Sequence, residues 1–479
     1  MMRLQLAAQI LNGRYQNEDA EGEDIAFSSI STDSRSIRSG DLYVALQGER
    51  FDGHDYIEQA QQCGAVAAIV HKACVCSLPT IKVADTRKAL GELAGAWRQS
   101  FAGQVIGITG SNGKTTVKEM LAAILAEQGE VLATQGNFNN DIGLPLTLFG
   151  LQAQDYAVIE MGANHPGEIA YLTSIAQPDI ALITNAGEAH LEGFGSREGV
   201  ARAKGEIFQG LAKRATPVIN KDDEYSEYWQ TICKEHQAVT FSMRDKTADV
   251  YGKWQQKASG IALSVSISAQ AFEINLSLYG EHNAMNALAA ICVAQVLAIP
   301  PEKIIRALTE FKPVRGRLTM HRVNSQLCVI DDTYNANPAS LQAAIKVLNE
   351  LHGEHWLVMG DMGELGGDEQ ALHFSAGLKA RELGVDRLLA TGRASAQAVE
   401  AFGEGAVFFQ TKDELVEYIK QHQPKYQPEH QPEHQPEHHQ EHHQEHHQEH
   451  QPRQLGILVK GSRFMRMEHI VQSLIERSN

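Results

Sequence analysis

The sequence has few cysteines, no long apolar run and no excess of basic residues. Six cysteines are spread over 479 residues without a CxxC pair, which favours a reducing cytoplasm over a disulfide or zinc framework. No stretch of 18 or more apolar residues occurs, so we expect no membrane-spanning helix. The opening segment, MMRLQLAAQILNGRY, lacks a sustained apolar core and a small-residue cleavage site, so we expect no secretory signal.

The formal net charge is −17, which argues against a nucleic-acid-binding protein, because such proteins normally present a basic surface. An acidic enzyme can still bind an anionic nucleotide through local features. These are helix N-termini, clustered backbone N–H groups, a few Lys or Arg side chains and a divalent cation.

The chain length predicts two to four domains, and the apolar runs indicate three α/β units. We place them at residues 1–100, 101–313 and 314–479. Strand-like and helical segments alternate, which is typical of parallel sheets covered by helices. We therefore predict an α/β fold whose C-terminal unit is an open, doubly wound sheet. The predicted strands are 41–46, 65–70, 104–109, 155–163, 178–186, 216–220, 272–278, 326–332, 355–361, 386–392 and 455–462, and the predicted helices are 55–64, 283–298 and 340–351.

Residues 427–451 form a repeat of Gln, Pro, Glu and His that holds nine of the 21 histidines. The repeat has no apolar residue to bury, so we expect a solvated insertion in the third domain. Its histidines could chelate Zn²⁺ or Ni²⁺, but an expanded linker is the simpler interpretation.

A glycine-rich loop, GITGSNGKTT (107–116), joins a predicted strand to a predicted helix. Gly110 and Gly113 would let backbone N–H groups approach phosphate oxygens. Lys114 would reach the β- and γ-phosphates, and the Thr115 hydroxyl would bind Mg²⁺. The sequence therefore predicts a nucleotide phosphate site.

The loop departs from the general phosphate-loop pattern at one position, because Ile108 stands where that pattern has its first glycine. A glycine turn without function is the alternative. The helix that follows carries apolar residues at helical spacing, which supports a strand–loop–helix unit. These residues are Val117, Met120, Leu121, Ile124 and Leu125.

Three further side chains follow predicted strands of the central unit. Glu160 lies near the end of a strand, where a carboxylate faces the ligand crevice of a parallel sheet and would bind Mg²⁺ directly or through water. His190 follows the next strand, and Lys204 lies in a predicted helix after it. Taken alone, Glu160 could be a solvent-exposed strand end, His190 a structural histidine and Lys204 a solvated surface charge.

These segments together resemble the Mur ligase family over nearly the whole chain. The resemblance rests on twelve segments in a fixed order, which is more specific than any one motif. They are STDSR (31–35), ERFDGHDY (49–56), TGSNGKTT (109–116), GNFNNDIGLPLT (136–147), EMGANHPGEI (160–169), TNAGEAHLEGFGS (184–196), AKGEIF (203–208), GEHNAMNALAA (280–290), RGR (315–317), DDTYNANPASL (331–341), MGDMGELG (359–366) and VKGSR (459–463).

The resemblance implies three domains: a small N-terminal α/β domain for a UDP-linked sugar, a central P-loop ATPase domain, and a C-terminal Rossmann-like domain that closes over both from a hinge near 312–317. It implies ATP and Mg²⁺ as cofactors. It also implies a cytoplasmic monomer that acts in peptidoglycan precursor synthesis, and hence in cell-wall biogenesis, cell shape and cell division.

Within the family, the C-terminal motifs favour a ligase that joins D-alanyl-D-alanine to UDP-N-acetylmuramoyl-tripeptide through an acyl phosphate. MGDMGELG and VKGSR are present, and the DNPR-type motif of ligases that add the third amino acid is absent. The STDSR and DGHD segments argue against folylpolyglutamate ligases, which lack a UDP-sugar module. Another Mur-type amino acid ligase and a non-catalytic nucleotide- or metal-binding protein remain as alternatives.

The resemblance also implies roles for individual residues at the nucleotide. Asn283 would contact adenine, Arg317 the γ-phosphate and Asp332 the ribose. His190 would bind a second Mg²⁺ near Glu160. The phosphate loop would bind ATP through Gly110, Ser111, Asn112, Gly113, Lys114, Thr115 and Thr116.

Lys204 matches the family position at which a lysine reacts with CO₂ to give a metal-binding carbamate. That reaction requires an unprotonated amine, so Lys204 should lie where its pKa is lowered. A lysine that contacts phosphate is the alternative.

The remaining implied residues would bind the two acceptor substrates, although turn formation is an alternative role for the Asn and Asp side chains. Three candidates, Asn335, Lys460 and Arg463, would bind the dipeptide, because a cation suits its C-terminal carboxylate. No residue is assigned to deprotonate the incoming amine. The candidates for the UDP-sugar, its pyrophosphate and the tripeptide are Ser31, Asp33, Ser34, Arg35, His54, Asn137, Asn139, Asn140 and Asn164.

Overall fold

A computed structural model of the chain describes residues 1–16, 24–74, 76–188, 190–268, 270–423 and 454–476. The insertion predicted at 427–451 lies outside the described residues. The chain divides into two compact units. They are Met1–Ser277 with Glu281–Phe311, and Leu278–Gly280 with Lys312–Asn479.

The N-terminal α/β domain is built on a sheet of short, buried strands. Its elements are β1 (Met2–Arg3), α1 (Leu4–Ile10), β2 (Arg14–Gln16), β3 (Ala26–Phe27), β4 (Ser29–Ser31), β5 (Asp41–Val44), α2 (Ile57–Gln62), β6 (Ala67–Val70), β7 (Thr80–Lys82) and α3 (Thr86–Gln99). The sheet order is β2-β7-β6-β5-β4, with β4 to β7 parallel and β2 antiparallel at one edge. The apolar runs predicted as strands, β5 and β6, are buried throughout.

The central domain carries a larger sheet of mixed direction. Its elements are β8 (Gln104–Thr109), α4 (Lys114–Ala126), β9 (Val131–Ala133), α5 (Gly143–Leu148), β10 (Tyr156–Glu160), α6 (Glu168–Ala176), β11 (Ile180–Ile183), α7 (Leu191–Phe194), α8 (Arg197–Gln209), β12 (Thr216–Asn220), α9 (Ser226–Ile232), β13 (Val239–Ser242), β14 (Val250–Lys257), β15 (Gly260–Ile267), β16 (Gln270–Leu276), α10 (Glu281–Val296) and α11 (Pro301–Glu310). The sheet order is β16-β15-β14-β13-β12-β11-β8-β10-β9.

The position of β8 between β10 and β11 places the functional residues. All three strands run parallel, so the loops that follow them emerge at one edge of the sheet. Ile108 pairs with Glu160, and Thr109 pairs with Ile183. The apolar face predicted for the helix after β8 is confirmed, because its five apolar side chains on α4 are fully buried.

The C-terminal domain is a parallel sheet with one antiparallel edge strand. Its elements are β17 (Thr319–Arg322), β18 (Leu327–Asp332), α12 (Pro338–Leu348), β19 (Glu354–Met359), α13 (Glu369–Glu382), β20 (Arg387–Thr391), α14 (Ser395–Phe402), β21 (Ala406–Phe409), α15 (Lys412–His422), β22 (Leu455–Lys460) and α16 (Glu468–Ile475). The order is β17-β18-β22-β19-β20-β21. Apolar side chains of α12, α13 and α14 cover one face of the sheet, and those of α15 and α16 cover the other.

This arrangement confirms the predicted α/β class and the doubly wound C-terminal sheet. None of the helices in the described ranges is long and apolar enough to cross a membrane. The predicted boundaries at 100 and 313 stay predictions.

Arg98, at the end of α3, ties this helix to the loop before β11. Its guanidinium donates to the carbonyls of Ala176 and Gln177 and lies 2.8 Å from the Asp179 carboxylate. The side chain is 8% exposed, so Arg98→Met would leave a largely buried carboxylate with only the more distant and exposed Arg214, at 3.6 Å, as its cation. We expect the free energy of unfolding to fall by about 3 kcal/mol.

A matched control for Arg98→Met lies on the same helix. Arg87 pairs with Asp141, but its side chain is 54% exposed, so Arg87→Met should lower the free energy of unfolding by less than about 1 kcal/mol. Urea unfolding of both variants measures the difference. Equal losses would contradict the structural role given to Arg98.

Candidate active site

The phosphate loop contains two glycines whose backbone conformations favour glycine. Gly110 has φ 147° and Gly113 has φ 84°, both in the region that L side chains rarely adopt. A Cβ at Gly110 would overlap the Thr184 hydroxyl, and one at Gly113 would overlap the Asn286 side-chain oxygen. Glycine is therefore required at both positions, and α4 begins at once with Lys114.

The loop after β11 braces the phosphate loop through hydrogen bonds. The Ser111 amide donates to the Asn185 carbonyl (3.0 Å), and the Asn112 amide donates to Asn185 Oδ1 (3.0 Å). Thr184 Oγ1 donates to the Asn112 carbonyl (2.7 Å). Thr184, Asn185 and Asn286, which borders Gly113, were not predicted from the sequence. Thr184 and Asn185 lie in TNAGEAH and Asn286 lies in GEHNAMN, both within segments quoted for the resemblance, so a signal for all three was present.

Lys114 and Thr115, the first residues of α4, point their polar groups toward the loop and the sheet edge. Lys114 Nζ donates to the carbonyls of Gly110 (2.6 Å) and Ser111 (3.3 Å). Thr115 Oγ1 donates to Glu160 Oε2 at 3.0 Å. The structure therefore brings a cation, a hydroxyl and a carboxylate to the N-terminus of one helix.

The Glu160 carboxylate is buried and held on both sides. Its second oxygen, Oε1, accepts from Asn139 Nδ2 at 2.8 Å. Its backbone N–H donates to Thr134 Oγ1 at 3.0 Å. Asn139 therefore orients Glu160 through its amide, and its predicted contact with the sugar or pyrophosphate stays a prediction.

The Thr115 hydroxyl and the Glu160 carboxylate, at the N-terminus of α4, suit Mg²⁺. Within the described residues, no group of three or more His, Cys, Asp or Glu side chains is placed to hold a metal. Mg²⁺ usually keeps several waters and binds through one or two carboxylates plus substrate phosphates. One carboxylate and one hydroxyl beside a phosphate loop fit that pattern.

Lys204, on α8, is a buried lysine whose amine has no hydrogen-bond partner among the described residues. Its Nζ lies 5.3 Å from the centre of the Phe194 ring. Burial, reinforced by the charge of Lys114, lowers the pKa of Lys204 from 10.5 to about 7, although Glu168 and Glu206 oppose the shift. The amine is therefore substantially neutral near physiological pH, which is the state that carbamylation requires.

His190 immediately precedes α7 and has φ 55°, which is unusual for a residue other than glycine. Its ring packs edge-to-face on Phe194, with 6.4 Å between the ring centres. His190 and Lys204 therefore both lie against Phe194, which was not predicted from the sequence.

Asn283 lies in the first turn of α10 and is buried. Its Oδ1 accepts from Asn286 Nδ2 at 3.3 Å, and Asn286 borders Gly113. The structure therefore places the predicted adenine contact next to the phosphate loop.

The STDSR segment of the first domain forms a tight turn after β4. Arg35 makes a two-pronged contact with the Asp33 carboxylate, at 2.9 and 2.7 Å, and this hydrogen bonding lowers the pKa of Asp33 to about 2. Ser31 Oγ accepts from the Asp33 amide (3.1 Å), and Ser34 Oγ donates to Gln59 (2.9 Å). Only Arg35, with 80% of its side chain exposed, presents most of its surface to a ligand.

His54 is engaged on both ring nitrogens. Nδ1 lies 2.6 Å from Asp52 Oδ1, and Nε2 accepts from the His71 amide at 3.2 Å. Burial lowers the pKa of His54, so its ring is neutral and ties two loops together. The predicted contact of His54 with the UDP sugar stays a prediction.

The other predicted asparagines of the first unit have different environments. Asn140 Oδ1 accepts from the Gly143 amide (2.8 Å) at the start of α5, which is turn chemistry. Asn137 is exposed, and its carbonyl accepts from the Asn139 amide. The Asn164 amide donates to Glu168 Oε2 at 2.7 Å.

The predicted residues of the second unit gather near the ends of β18 and β22. The Lys460 ammonium contacts the Asp332 carboxylate and the Asn335 carbonyl. The Arg317 guanidinium lies 4.1 Å above the Tyr334 ring. Arg463, 63% exposed, pairs with Glu468 (2.9 Å).

Three Mur ligase family models match successive parts of the chain. The model for the Mur ligase family, catalytic domain, matches residues 26–98. The Mur ligase middle domain matches 108–294, and the Mur ligase, glutamate ligase domain, matches 316–426.

The chain is similar to curated proteins and solved structures over nearly its whole length. UDP-N-acetylmuramoyl-tripeptide–D-alanyl-D-alanine ligase of Escherichia coli (strain K12) is 39% identical, covering 98% of this chain and 97% of the relative. The ligase of the same name from Bacillus subtilis (strain 168) is 35% identical, with the same coverage.

Among solved structures, MurF from Acinetobacter baumannii has a TM-score of 0.87 at 35% identity, covering 99% of this chain and 98% of the other. MurF ligase from Thermotoga maritima in complex with ADP has a TM-score of 0.79 at 25% identity, with coverages of 95% and 99%. Together with the family models, these full-length similarities show that the chain belongs to the Mur ligase family.

Proposed function

We propose that the chain is an ATP-dependent ligase that joins D-alanyl-D-alanine to UDP-N-acetylmuramoyl-tripeptide in peptidoglycan precursor synthesis. The observation that carries this proposal is the full-length similarity, at 35–39% identity, to curated ligases named for that reaction. The phosphate loop with Lys114, Thr115 and Glu160 supplies the chemistry that such a reaction needs.

The first step joins two anions, so charge is its main obstacle. The terminal carboxylate of the tripeptide attacks the γ-phosphorus of ATP, and the bond to the bridging oxygen breaks, which leaves an acyl phosphate and ADP. The Lys114 ammonium and the N–H groups at the start of α4 stabilise charge on the transferred phosphoryl group. Their attachment to a rigid strand–loop–helix unit means that little reorganisation is needed.

In the second step, the amine of D-alanyl-D-alanine attacks the acyl carbonyl. An amide forms, the carbon–oxygen bond breaks, and inorganic phosphate leaves with the oxygen that came from the carboxylate. We propose that Arg317 contacts the transferred phosphate and that Arg463 attracts the carboxylate of the dipeptide.

Mg²⁺ held by Thr115 and Glu160 would neutralise phosphate charge. A second ion would be held by His190 and by a carbamate on Lys204.

Glu160→Gln keeps the size of the side chain and removes its charge. We expect the Mg²⁺ concentration for half-maximal activity to rise by at least about tenfold. A magnesium titration of phosphate release measures this, with Glu130→Gln, which changes an exposed carboxylate of the same domain, as the control. An unchanged requirement would contradict the role given to Glu160.

The amine substrate distinguishes this proposal from another Mur-type ligase. Phosphate release from ATP should require both the UDP-linked tripeptide and D-alanyl-D-alanine, and the product should be heavier by the dipeptide less water. Tripeptides ending in lysine and in diaminopimelate should both be tested. If a single amino acid replaced the dipeptide, the ligase chemistry would stand and the substrate assignment would be wrong.

The reaction requires ATP and a nucleotide-linked precursor. We therefore propose that the enzyme works in the cytoplasm. We also propose that it acts as a monomer, as the resemblance to the Mur ligase family implies. A non-catalytic binding protein would have no need for a buried, unpaired amine such as Lys204, whose burial costs stability.

A further inference from the structure

The ammonium of Lys460 is enclosed in the C-terminal domain. Lys460 ends β22 and pairs in register with Asp332, which ends β18. Its side chain is 3% exposed. The ammonium donates to Asp332 Oδ2 and to the Asn335 carbonyl (3.0 Å). Two of its three N–H donors are therefore used inside the protein.

Asp332 links Lys460 to the turn that contains Arg317, because it is hydrogen-bonded to both. The other carboxylate oxygen of Asp332, Oδ1, accepts from the Leu318 amide at 3.2 Å. On the other side of Arg317, the Gly316 carbonyl accepts from the Tyr334 amide at 3.1 Å. We call residues 316–318 the Arg317 turn. Both of its flanking residues have positive φ, 73° for Gly316 and 51° for Leu318, so the turn depends on these bonds to keep its shape.

The Arg317 guanidinium itself is held mainly by stacking. It lies 4.1 Å from the centre of the Tyr334 ring, within cation–π range. Its Nε is buried without a hydrogen-bond partner among the described residues. The direction of the guanidinium is therefore set by the turn and the ring, and the turn is set by Asp332.

Lys460 is poorly suited to bind the dipeptide carboxylate, because its charge is already shared with Asp332. Burial lowers the pKa of Lys460, Asp332 opposes this shift, and the nearby charge of Arg317 adds to it. Two cations, Lys460 and Arg317, therefore lie close to one carboxylate. Arg463, with 63% of its side chain exposed, is the more accessible cation for a carboxylate ligand.

We propose that Lys460 is a positioning residue that fixes the Arg317 turn through Asp332, and that it does not bind the dipeptide. This inference rests on the proposed function, in which Arg317 contacts the transferred phosphate. Loss of Lys460 would then impair phosphoryl transfer, and recognition of D-alanyl-D-alanine would be preserved.

The test compares Lys460→Met, Arg317→Met and the double variant by steady-state kinetics. For Lys460→Met we expect kcat/KM for ATP to fall at least about tenfold, with KM for D-alanyl-D-alanine changed less than about twofold. Because Lys460 acts through Arg317, the double variant should be no slower than Arg317→Met alone. A selective rise in KM for the dipeptide, or single-variant losses that multiply in the double variant, would overturn the proposal.

Two controls keep this test decisive. Lys460→Gln retains a donor for Asp332, so it serves if Lys460→Met fails to fold. A partial loss in kcat/KM for ATP is expected from it, because it keeps the hydrogen bond to Asp332 and loses the charge, and a selective dipeptide effect would again overturn the proposal. Calorimetric binding of a non-hydrolysable ATP analogue is a readout that needs no ligation. If the wild type did not ligate D-alanyl-D-alanine, the proposed function would fail. Weaker analogue binding by Lys460→Met would still support the positioning role, and unchanged binding would refute it.

Discussion

Replacing Lys114 with Met should lower the rate of phosphate release by about 10³-fold and leave the fold intact. The ammonium of Lys114 lies within the phosphate loop, bound to the carbonyls of Gly110 and Ser111. In the proposed reaction it offsets charge on the phosphoryl group as the tripeptide carboxylate approaches. Removing one preorganised charged donor from such a site typically costs about 10²–10³ in kcat, and the repulsion between two anions places this case at the upper end.

The control for Lys114→Met is Lys213→Met, which removes an exposed lysine of the same unit. We expect wild-type activity from this control and unchanged thermal unfolding for both variants. A Lys114→Met enzyme with more than about a tenth of wild-type kcat would contradict the assignment of the loop as the site of phosphoryl transfer.

Replacing Lys204 with Met should abolish most activity and, unlike most active-site changes, stabilise the fold. The Lys204 amine is buried without a hydrogen-bond partner in the described part of the chain, so its burial costs free energy that an apolar side chain would not. Activity should fall by about 10³-fold, because the proposed carbamate ligand for the metal could no longer form. A rise in unfolding temperature with a loss of activity is the expected combination.

The cost of burying the Lys204 amine should depend on pH, because the folded and unfolded chains bind its proton with different affinities. The pKa of Lys204 is about 7 in the folded chain, against 10.5 for the unperturbed group. Between these values the unfolded chain binds a proton that the folded chain does not, so wild-type stability rises with pH relative to Lys204→Met. The penalty is fully present below pH 7, where it amounts to about 3–5 kcal/mol, and it disappears as the pH approaches 10.5.

Lys118 provides the matched comparison for Lys204, because it is equally buried but satisfied. Its ammonium donates to the Thr134 carbonyl and pairs with Glu119, so Lys118→Met should destabilise the fold. Thermal unfolding of both variants in CO₂-free buffer, from pH 7 to 10, measures the contrast. Destabilisation by both substitutions would contradict the account of Lys204. A carbamate resonance in the ¹³C spectrum with labelled bicarbonate, present in wild type and absent from Lys204→Met, would test the chemistry directly.

The strand–loop–helix units could be predicted closely from sequence, because their signals are local. β8 and β12 begin and end where their apolar runs do. β14 and β15 were missed, although they form the antiparallel extension of the central sheet. The outer half of β14 reads KWQQK, and such a polar run does not distinguish an edge ribbon from a loop.

The site was only partly predictable, because its contacts join distant segments. Nothing local links Asn139 to Glu160, and the pair forms only when the loop after β9 meets the end of β10. Lys204 offered a signal, since it shares the apolar face of α8 with Val200 and Ile207, and a lysine on such a face is a candidate for burial. The enclosure of Lys460 by Asp332 needed the register of β18 and β22.

Oxygen labelling tests most directly whether the tripeptide carboxylate is activated by transfer of the γ-phosphoryl group. UDP-N-acetylmuramoyl-tripeptide with ¹⁸O in its terminal carboxylate would be ligated to D-alanyl-D-alanine with unlabelled ATP, and the released phosphate analysed by mass spectrometry. Transfer of one ¹⁸O to inorganic phosphate, with ADP as the other product, is the predicted result. Release of AMP that carries the label would contradict the acyl-phosphate mechanism. Release of unlabelled phosphate in an amount equal to the ligated product would contradict it as well.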